Sequence, residues 1–159
     1  MAYIYPAPGV NGVEMTLGVS VAANSASSPE LTLPGIQDVT INAANDVFTW
    51  TQLDTASKLQ IATTATNSVT MNIVLDQSAW FGDTGETAGE ADYLGVWNLS
   101  SNKTLLDCEI YLGDTDGGAT GKTISGSGYI TGLAPTVSAD APVWVSPITI
   151  TVTGDYTIS

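Results

Sequence analysis

The stretch LDCEIYL, residues 106–112, contains the pattern that decides the fold. Apolar side chains stand at every second position, and Asp107, Glu109 and Tyr111 stand between them. Successive side chains of an extended strand point to opposite sides, so this alternation predicts a β-strand with one side facing a core. Cys108 lies on the apolar side, and we expect it to be a small, buried hydrophobic residue.

The same two-residue period recurs along the chain, in residues 15–21, 39–42, 69–75 and 148–153. β-Branched residues are frequent in these runs, while Gly, Asn, Asp and Pro cluster between them, as is typical of antiparallel strands joined by turns. Residues 47–52 return after AAND (43–46), which we interpret as a four-residue hairpin loop. The sequence therefore predicts a mainly β protein, an antiparallel β-sandwich or barrel.

One short helix is expected beside the sheets, within a loop-and-helix segment at residues 82–95. TAGE (87–90) has the spacing of a capping box, in which Thr87 caps the first turn and Glu90 reaches back to it. About two turns would then follow, ending near Gly95. We find no internal repeat, so we expect one domain over residues 1–159, with residues 1–12 as an extended N-terminal arm.

The charge of the chain limits the classes of function. Sixteen acidic residues stand against three lysines, with no arginine or histidine, which gives a formal net charge of −13. Binding of nucleic acid through its phosphates needs clustered Lys or Arg, so that class is excluded. The lack of histidine removes the commonest general base and metal ligand, and a single cysteine excludes an intrachain disulfide and a Cys-based zinc site.

No part of the sequence predicts a catalytic, cofactor-binding or metal site. The glycine-rich stretch DTDGGATGKT (114–123) ends like a Walker A loop, but Asp116 stands where that motif needs glycine. It also leads into a strand-like run and not into a helix, so we interpret it as a turn. Paired carboxylates could serve glycoside hydrolysis, but acidic residues are more often solvated surface groups. The four tryptophans could stack on sugars, but tryptophans more often fill a core or an interface.

Targeting signals are also lacking in the sequence. The N-terminus shows no basic region followed by an apolar one, and no run approaches the roughly 18 apolar residues of a membrane span. We therefore expect an intracellular product, or a component of something assembled inside a cell. The expected outward positions of the strands are small and neutral, which suits contacts with other subunits better than the mixed charges of a free monomer. These positions are Thr64, Thr66, Asn67, Thr149, Thr151 and Thr153.

Several segments resemble bacteriophage tail tube proteins, also called major tail proteins. The resemblance is carried by GSGYITGLAP (126–135), ADAP (139–142) and ITITVTGDY (148–156), where a strand ends in a "G-x-x-T-x-L-x-P" type phrase before a polar loop and a last strand. FTWTQLD (48–54) and NSVTMNIVL (67–75) are similar in order and spacing. From the first of these segments to the last, residues 48–156, the resemblance spans about two thirds of the chain.

This resemblance implies a structural virion protein and not an enzyme. Its subunits would form rings, usually of six, that stack into a tube, with strands of neighbouring subunits completing one barrel around a channel. DNA would pass through that channel without specific binding, and an acidic wall would repel its phosphates. The candidate lumen-facing carboxylates are Asp107 and Glu109, with Asp38 as a further candidate.

The same resemblance implies partners and a location. Beyond copies of itself, the chain would contact tape-measure, tail-terminator and baseplate or tail-tip proteins, and a sheath if the tail contracts. It would reside in the virion tail after assembly in the host cytoplasm, with no membrane contact. Two alternatives stay open at this point, a capsid decoration or cement protein and a carbohydrate-binding or adhesive β-sandwich.

Overall fold

A computed structural model describes residues 13–22, 25–26, 30–53, 57–64, 66–112, 122–140 and 142–159. Within these residues the protein consists mainly of antiparallel strands, which confirms the predicted fold class. All five alternating runs lie in strands, except for their last residues Leu75 and Thr153, which follow the ends of two strands. The elements in chain order are β1 (Val13–Ala22), β2 (Ser25–Ala26), β3 (Leu31–Thr32), β4 (Ile36–Ala44), β5 (Val47–Trp50), β6 (Leu59–Ala62), β7 (Thr66–Val74), α1 (Gln77–Phe81), α2 (Ala91–Ser101), β8 (Leu106–Leu112), β9 (Lys122–Leu133), β10 (Val145–Val152) and β11 (Thr157–Ile158).

Nine of the described strands form one sheet, in the order β2-β1-β8-β9-β10-β7-β4, with β3 on β1 and β11 on β9. The long strand β9 holds the two halves together, since it pairs with β8 up to Gly128 and with β10 from Gly128 onward. A Cβ atom at Gly128 would lie 2.3 Å from the Thr151 carbonyl oxygen, so only glycine permits this approach. A bulge between Thr149 and Ile150 marks a further irregularity in the β9–β10 pairing, of the kind that bends a strand.

Both halves of the sheet and both helices contribute to one hydrophobic core. On β8 the apolar side is buried as predicted, and Cys108 is 1% exposed, which confirms its expected burial. On β7 the buried side includes Asn67, 4% exposed, so the prediction that Asn67 faces outward is wrong. Its side-chain amide is satisfied because it donates to the Gly154 carbonyl oxygen at 2.7 Å. The sheet residues of the core are Met15, Leu17, Leu31, Val69, Met71, Ile73, Leu106, Cys108, Ile110, Ile130, Ile148, Ile150 and Val152.

Burial sets the chemistry of the Cys108 thiol. Loss of solvation raises its pKa from 9.0 to about 11, although backbone hydrogen bonding at Gly126 acts in the opposite direction. In the neutral form the thiol donates to the Gly126 carbonyl oxygen at 3.1 Å. Because the folded-state pKa is raised, the stability associated with the thiol is fully present below pH 9 and is lost as the pH rises through 11.

We therefore expect the free energy of unfolding to fall by about 2 kcal/mol more between pH 8 and pH 11 in the wild type than in Cys108→Ala. Urea unfolding at each pH measures this difference, and the variant controls for the tyrosines and lysines that titrate in the same range. Parallel pH curves for the two chains would contradict the assignment.

The predicted hairpin between β4 and β5 is absent. β4 instead pairs with β7, and β5 pairs with β6. The last pair of the first ladder is Ala44 with Thr66, and the first pair of the second ladder is Val47 with Ala62. The Thr63 amide donates to the Asp46 carbonyl oxygen at 2.8 Å between the two ladders. The β4–β7 and β5–β6 ladders thus follow each other as one long antiparallel ribbon. The turn-forming residues Asn45 and Asp46 mark an interruption of the ribbon and not its reversal.

The helical region also differs from the prediction of one helix. Glu90 occupies the N-cap position itself and makes no side-chain capping bond, so the predicted capping box with Thr87 is wrong. α2 continues to Ser101 across a kink at Gly95, where φ is 67°. α1 was not predicted, although its N-cap Asp76 is a recognisable signal in the sequence.

The kink at Gly95 exists because two backbones meet there. A Cβ atom at Gly95 would lie 2.3 Å from the Gly82 nitrogen, and a Cβ at Gly82 would lie 2.0 Å from the Tyr93 carbonyl oxygen. Both glycines have positive φ, which side-chain-bearing residues rarely adopt. The close approach fixes the end of α1 against the middle of α2.

Replacing Gly95 with alanine is expected to reduce the free energy of unfolding by about 3 kcal/mol, since backbone strain and steric overlap add together. Gly89→Ala is the matched control: its φ is also positive, at 96°, but no atom lies within 4 Å of an added Cβ. That control should lose only about 1 kcal/mol. Equal losses in urea titrations of the two variants would show that the Gly82–Gly95 contact has no role of its own.

Candidate assembly surfaces

An apolar groove of about 760 Å³ opens where the end of β7 meets α1, α2 and the segment before β10. We call it the tryptophan groove. Its volume is within the range of binding pockets for small molecules, but it is an open cleft with a single charged lining residue, Asp76. Its lining residues are Val74, Leu75, Asp76, Gln77, Trp80, Phe81, Trp97, Pro135, Pro142, Val143 and Trp144.

Three tryptophans shape this groove. Trp80 is 2% exposed, and its ring centroid lies 6.3 Å from that of Trp97 at an interplanar angle of 45°. Trp97 and Trp144 are 45% and 54% exposed. The backbone around Trp144 is fixed because its carbonyl oxygen accepts from the Leu75 amide at 2.9 Å. Aromatic side chains held in this way and left half-exposed are characteristic of protein interfaces.

The first turn of α1 is fixed by Asp76, at the rim of the groove. Its carboxylate accepts hydrogen bonds from the Ser78 amide at 3.1 Å and the Ala79 amide at 3.2 Å. The Ser78 hydroxyl, and to a smaller extent the Ala79 amide, lower the pKa of Asp76. The cap therefore determines where Trp80 and Phe81 stand.

A second apolar surface lies on the part of the ribbon formed by β5 and β6, which we call the distal hairpin. The pairs Phe48–Ile61 and Trp50–Leu59 stand directly opposite each other, so all four side chains share one face. Phe48 and Trp50 stack with ring centroids 5.9 Å apart, and Phe48 and Ile61 are 59% and 57% exposed. An isolated two-stranded ribbon is only marginally stable in water, which favours a partner over this face.

The three acidic residues singled out from the sequence are not brought together. β8 carries Asp107 and Glu109 and β4 carries Asp38, with three strands between them in the sheet order. Glu109 is partly buried, and Asp38 is exposed and accepts from the Asn72 amide at 2.9 and 3.0 Å. Asp107 lies on the side away from the core, yet it is 1% exposed and accepts from the Ser127 hydroxyl. The burial of Asp107 in the single chain does not favour its candidate role as a lumen-facing carboxylate.

Other candidate sites receive no support from the part of the chain that the structure describes. No group of three or more Asp, Glu or Cys residues there is arranged to hold a metal ion. No helix among these residues is long and apolar enough to span a membrane. Lys122 and Thr123, which end the glycine-rich stretch, begin strand β9 and not a helix, as the sequence predicted. Residues 114–121 lie outside the described residues, as does the predicted arm at 1–12.

The groove and the face of the distal hairpin were not predicted from the sequence. For the hairpin a signal existed, since Phe48 and Trp50, like Leu59 and Ile61, stand two residues apart. The groove had none, because its lining comes from segments up to about 70 residues apart in the chain.

No protein-family model matches the sequence, and a search of curated proteins found no match. Solved structures do match. A chain from the tail of an empty gene transfer agent particle, solved with C6 symmetry, gives a TM-score of 0.64 over 96% of this chain and 99% of that chain, at 11% identity. The fold is that of a tail tube protein.

Two further structures carry the tail-tube fold over most of their length. The SPP1 tail tube matches with a TM-score of 0.63 at 11% identity, covering 91% of this chain and 76% of that chain. A chain of the PVC sheath/tube terminator, from an extracellular contractile injection system, matches with a TM-score of 0.60 at 14% identity, covering 99% of both chains. The resemblance noted in the sequence is thus confirmed at the level of the fold, since identities this low carry no residue-level correspondence.

Proposed function

We propose that this chain is a structural subunit of a virion tail, in which copies form rings of six that stack into a hollow tube. The observation that carries the proposal is the match of nearly the whole chain to a chain from a six-fold symmetric tail. The two uncovered apolar surfaces support it, because a subunit of a large assembly needs surfaces that it does not cover itself. The role is structural and not catalytic.

The charge of the chain suits a channel for DNA. A wall formed by a chain with 16 acidic residues and three lysines has little capacity to bind phosphates, so DNA would pass without being retained. We propose Glu109 and Asp38 as lumen-facing residues, whereas the buried Asp107 would hold β8 to β9 through Ser127. β4, at one end of the sheet order, would pair with a strand of the neighbouring subunit in the ring.

The partners follow from this role. The chain would contact copies of itself within the tube. The tube would contact a tape-measure protein inside, a terminator at one end and a baseplate or tail-tip protein at the other. A sheath would surround it if the tail contracts. Assembly would take place in the host cytoplasm. A second candidate role is that of the terminator itself, which is favoured by the match over 99% of both chains to a sheath/tube terminator.

Electron microscopy of the purified protein at high concentration separates these roles. Hollow tubes with six-fold end views are expected for a tube subunit, and single six-membered rings that do not stack are expected for a terminator. Monomers or trimers that bind only capsids would favour a decoration protein, and glycan binding that changes tryptophan fluorescence would favour the adhesive module; both results contradict the proposal. A reconstruction of the tubes would also place Glu109 and Asp38, and their location on the outer wall would overturn the lumen assignment.

A further inference from the structure

We infer that the distal hairpin of one copy places its apolar face in the tryptophan groove of a second copy, so that copies join head to tail. This inference rests on the proposed function, because it names the contact by which tube subunits of successive rings stack. It is argued from three features of the single chain: an uncovered hairpin face, the separation of the two surfaces, and the distribution of charge.

Phe48 and Ile61 of the hairpin face are exposed, and Trp50 and Leu59 are partly buried. Among the described residues, the core and the side chains packed against it include none from β5 or β6. Four apolar side chains nevertheless share one face, while the opposite face carries Val47, Thr49, Gln60 and Ala62. Leaving two stacked aromatic rings in water is unfavourable, so the face is expected to be buried in the assembled state.

The groove lies too far from the hairpin to receive it from the same chain. β7 begins at Thr66, at the base of the hairpin, and ends at Val74, which lines the groove. A nine-residue strand spans roughly 26 Å at about 3.3 Å per residue. Two different surfaces at opposite ends of one strand form a head-to-tail contact, and a contact of this kind can repeat without closing on itself.

The distribution of charge favours a second copy as the occupant. A chain with a net charge of −13 repels its own copies, so contacts between copies must avoid carboxylates. β5 and β6 contain no charged residue, and the groove has only Asp76. Lys58, next to β6, is one of the three lysines in the chain. In the proposed contact it would offset the charge of Asp76 of the second copy. Both surfaces are therefore among the parts of the molecule that can meet with least repulsion.

The test compares variants of the two surfaces by sedimentation and electron microscopy of the full chain. Phe48→Ser alters the hairpin face, Trp144→Ser alters the groove, and Thr49→Ser is the control on the opposite face of the same strand. Removal of a central aromatic contact is expected to raise the concentration needed for tubes at least about 30-fold, whereas the control should stay within about threefold. Circular dichroism of each variant verifies folding, and Ile61→Ser is a second hairpin variant should Phe48→Ser be unfolded.

Mixing the variants tests the head-to-tail arrangement directly. Phe48→Ser chains keep an intact groove and Trp144→Ser chains keep an intact hairpin, so an equimolar mixture should form stacked pairs that neither variant forms alone. If the wild type forms tubes and the folded hairpin variants form them equally well, this inference is overturned but the proposed function is not. That result would indicate that another protein covers the hairpin. Absence of stacked pairs in the mixture would also overturn it. A wild-type chain that stays monomeric at all concentrations would overturn the proposed function as well.

Discussion

The protein concentration needed for tube formation by this chain is expected to be at least about tenfold lower at 1 M salt than at 0.01 M salt. The reason is that the Debye length falls from about 30 Å to about 3 Å over that range. The physical reason is the formal charge of −13 on each subunit. In the proposed tube, copies in a ring and in successive rings would repel one another, and salt would screen this repulsion. The apolar contacts proposed between hairpin and groove do not weaken when charges are screened.

The measurement is the sedimented fraction of purified protein across a concentration series at each sodium chloride concentration. Potassium chloride at the same ionic strength is the control for effects of one particular cation, and sulfate is avoided because it strengthens apolar association by itself. A critical concentration that rises with salt would mean that ion pairs hold the subunits together, contrary to the assembly described above.

Replacement of Trp80 by alanine is expected to lower the free energy of unfolding by about 4 kcal/mol, within the range seen for large aromatic residues removed from a core. Trp80 is 2% exposed and belongs to the core cluster. Such a loss is a large part of the 5–15 kcal/mol that typically stabilises a domain, and partial unfolding of the variant at 37 °C is expected.

Trp97→Ala is the matched control for this prediction. Trp97 contacts Trp80 but is 45% exposed, so less surface returns to water and the expected loss is about 1–2 kcal/mol. Urea unfolding followed by circular dichroism measures both variants without relying on the removed fluorophore. Similar losses in the two variants would show that Trp80 is no more important to the core than its exposed neighbour.

The strands were predictable because one-sided burial leaves a period of two in the sequence. LDCEIYL (106–112) coincides with β8, and the buried positions of β7 follow the same rule. The period fails where a polar residue occupies a core position. Asn67 is buried because the Gly154 carbonyl oxygen, 87 residues away, accepts from it, and no local pattern encodes such a partner.

Strand pairing was harder to predict than strand location. Turn-forming residues signal that a strand stops, but not whether the chain reverses there. Asn45 and Asp46 interrupt the ribbon without reversing it, because β7 is already the partner of β4 on the other side of the interruption. The helix boundaries were predicted wrongly for a related reason, because a contact between separate segments decides them. The backbone contact between Gly82 and Gly95 determines where α2 bends.

The candidate site could be predicted only in its chemical character. Composition indicated an acidic chain whose neutral, small strand faces suit subunit contacts, but the two apolar surfaces depend on three-dimensional placement. Asp107 shows the limit most clearly. The alternation correctly places Asp107 on the side of β8 away from the core. Its carboxylate is nevertheless buried and accepts a hydrogen bond from the Ser127 hydroxyl.

The placement of hairpin and groove at opposite ends of β7 gives any linear assembly of this chain a polarity. One terminus of the polymer would display unpaired aromatic ribbons, and the other would display empty clefts. A protein that nucleates growth must complement one of these termini, and a protein that halts growth must complement the other. With the head-to-tail contact proposed above, two distinct capping partners would therefore be needed, and neither would substitute for the other.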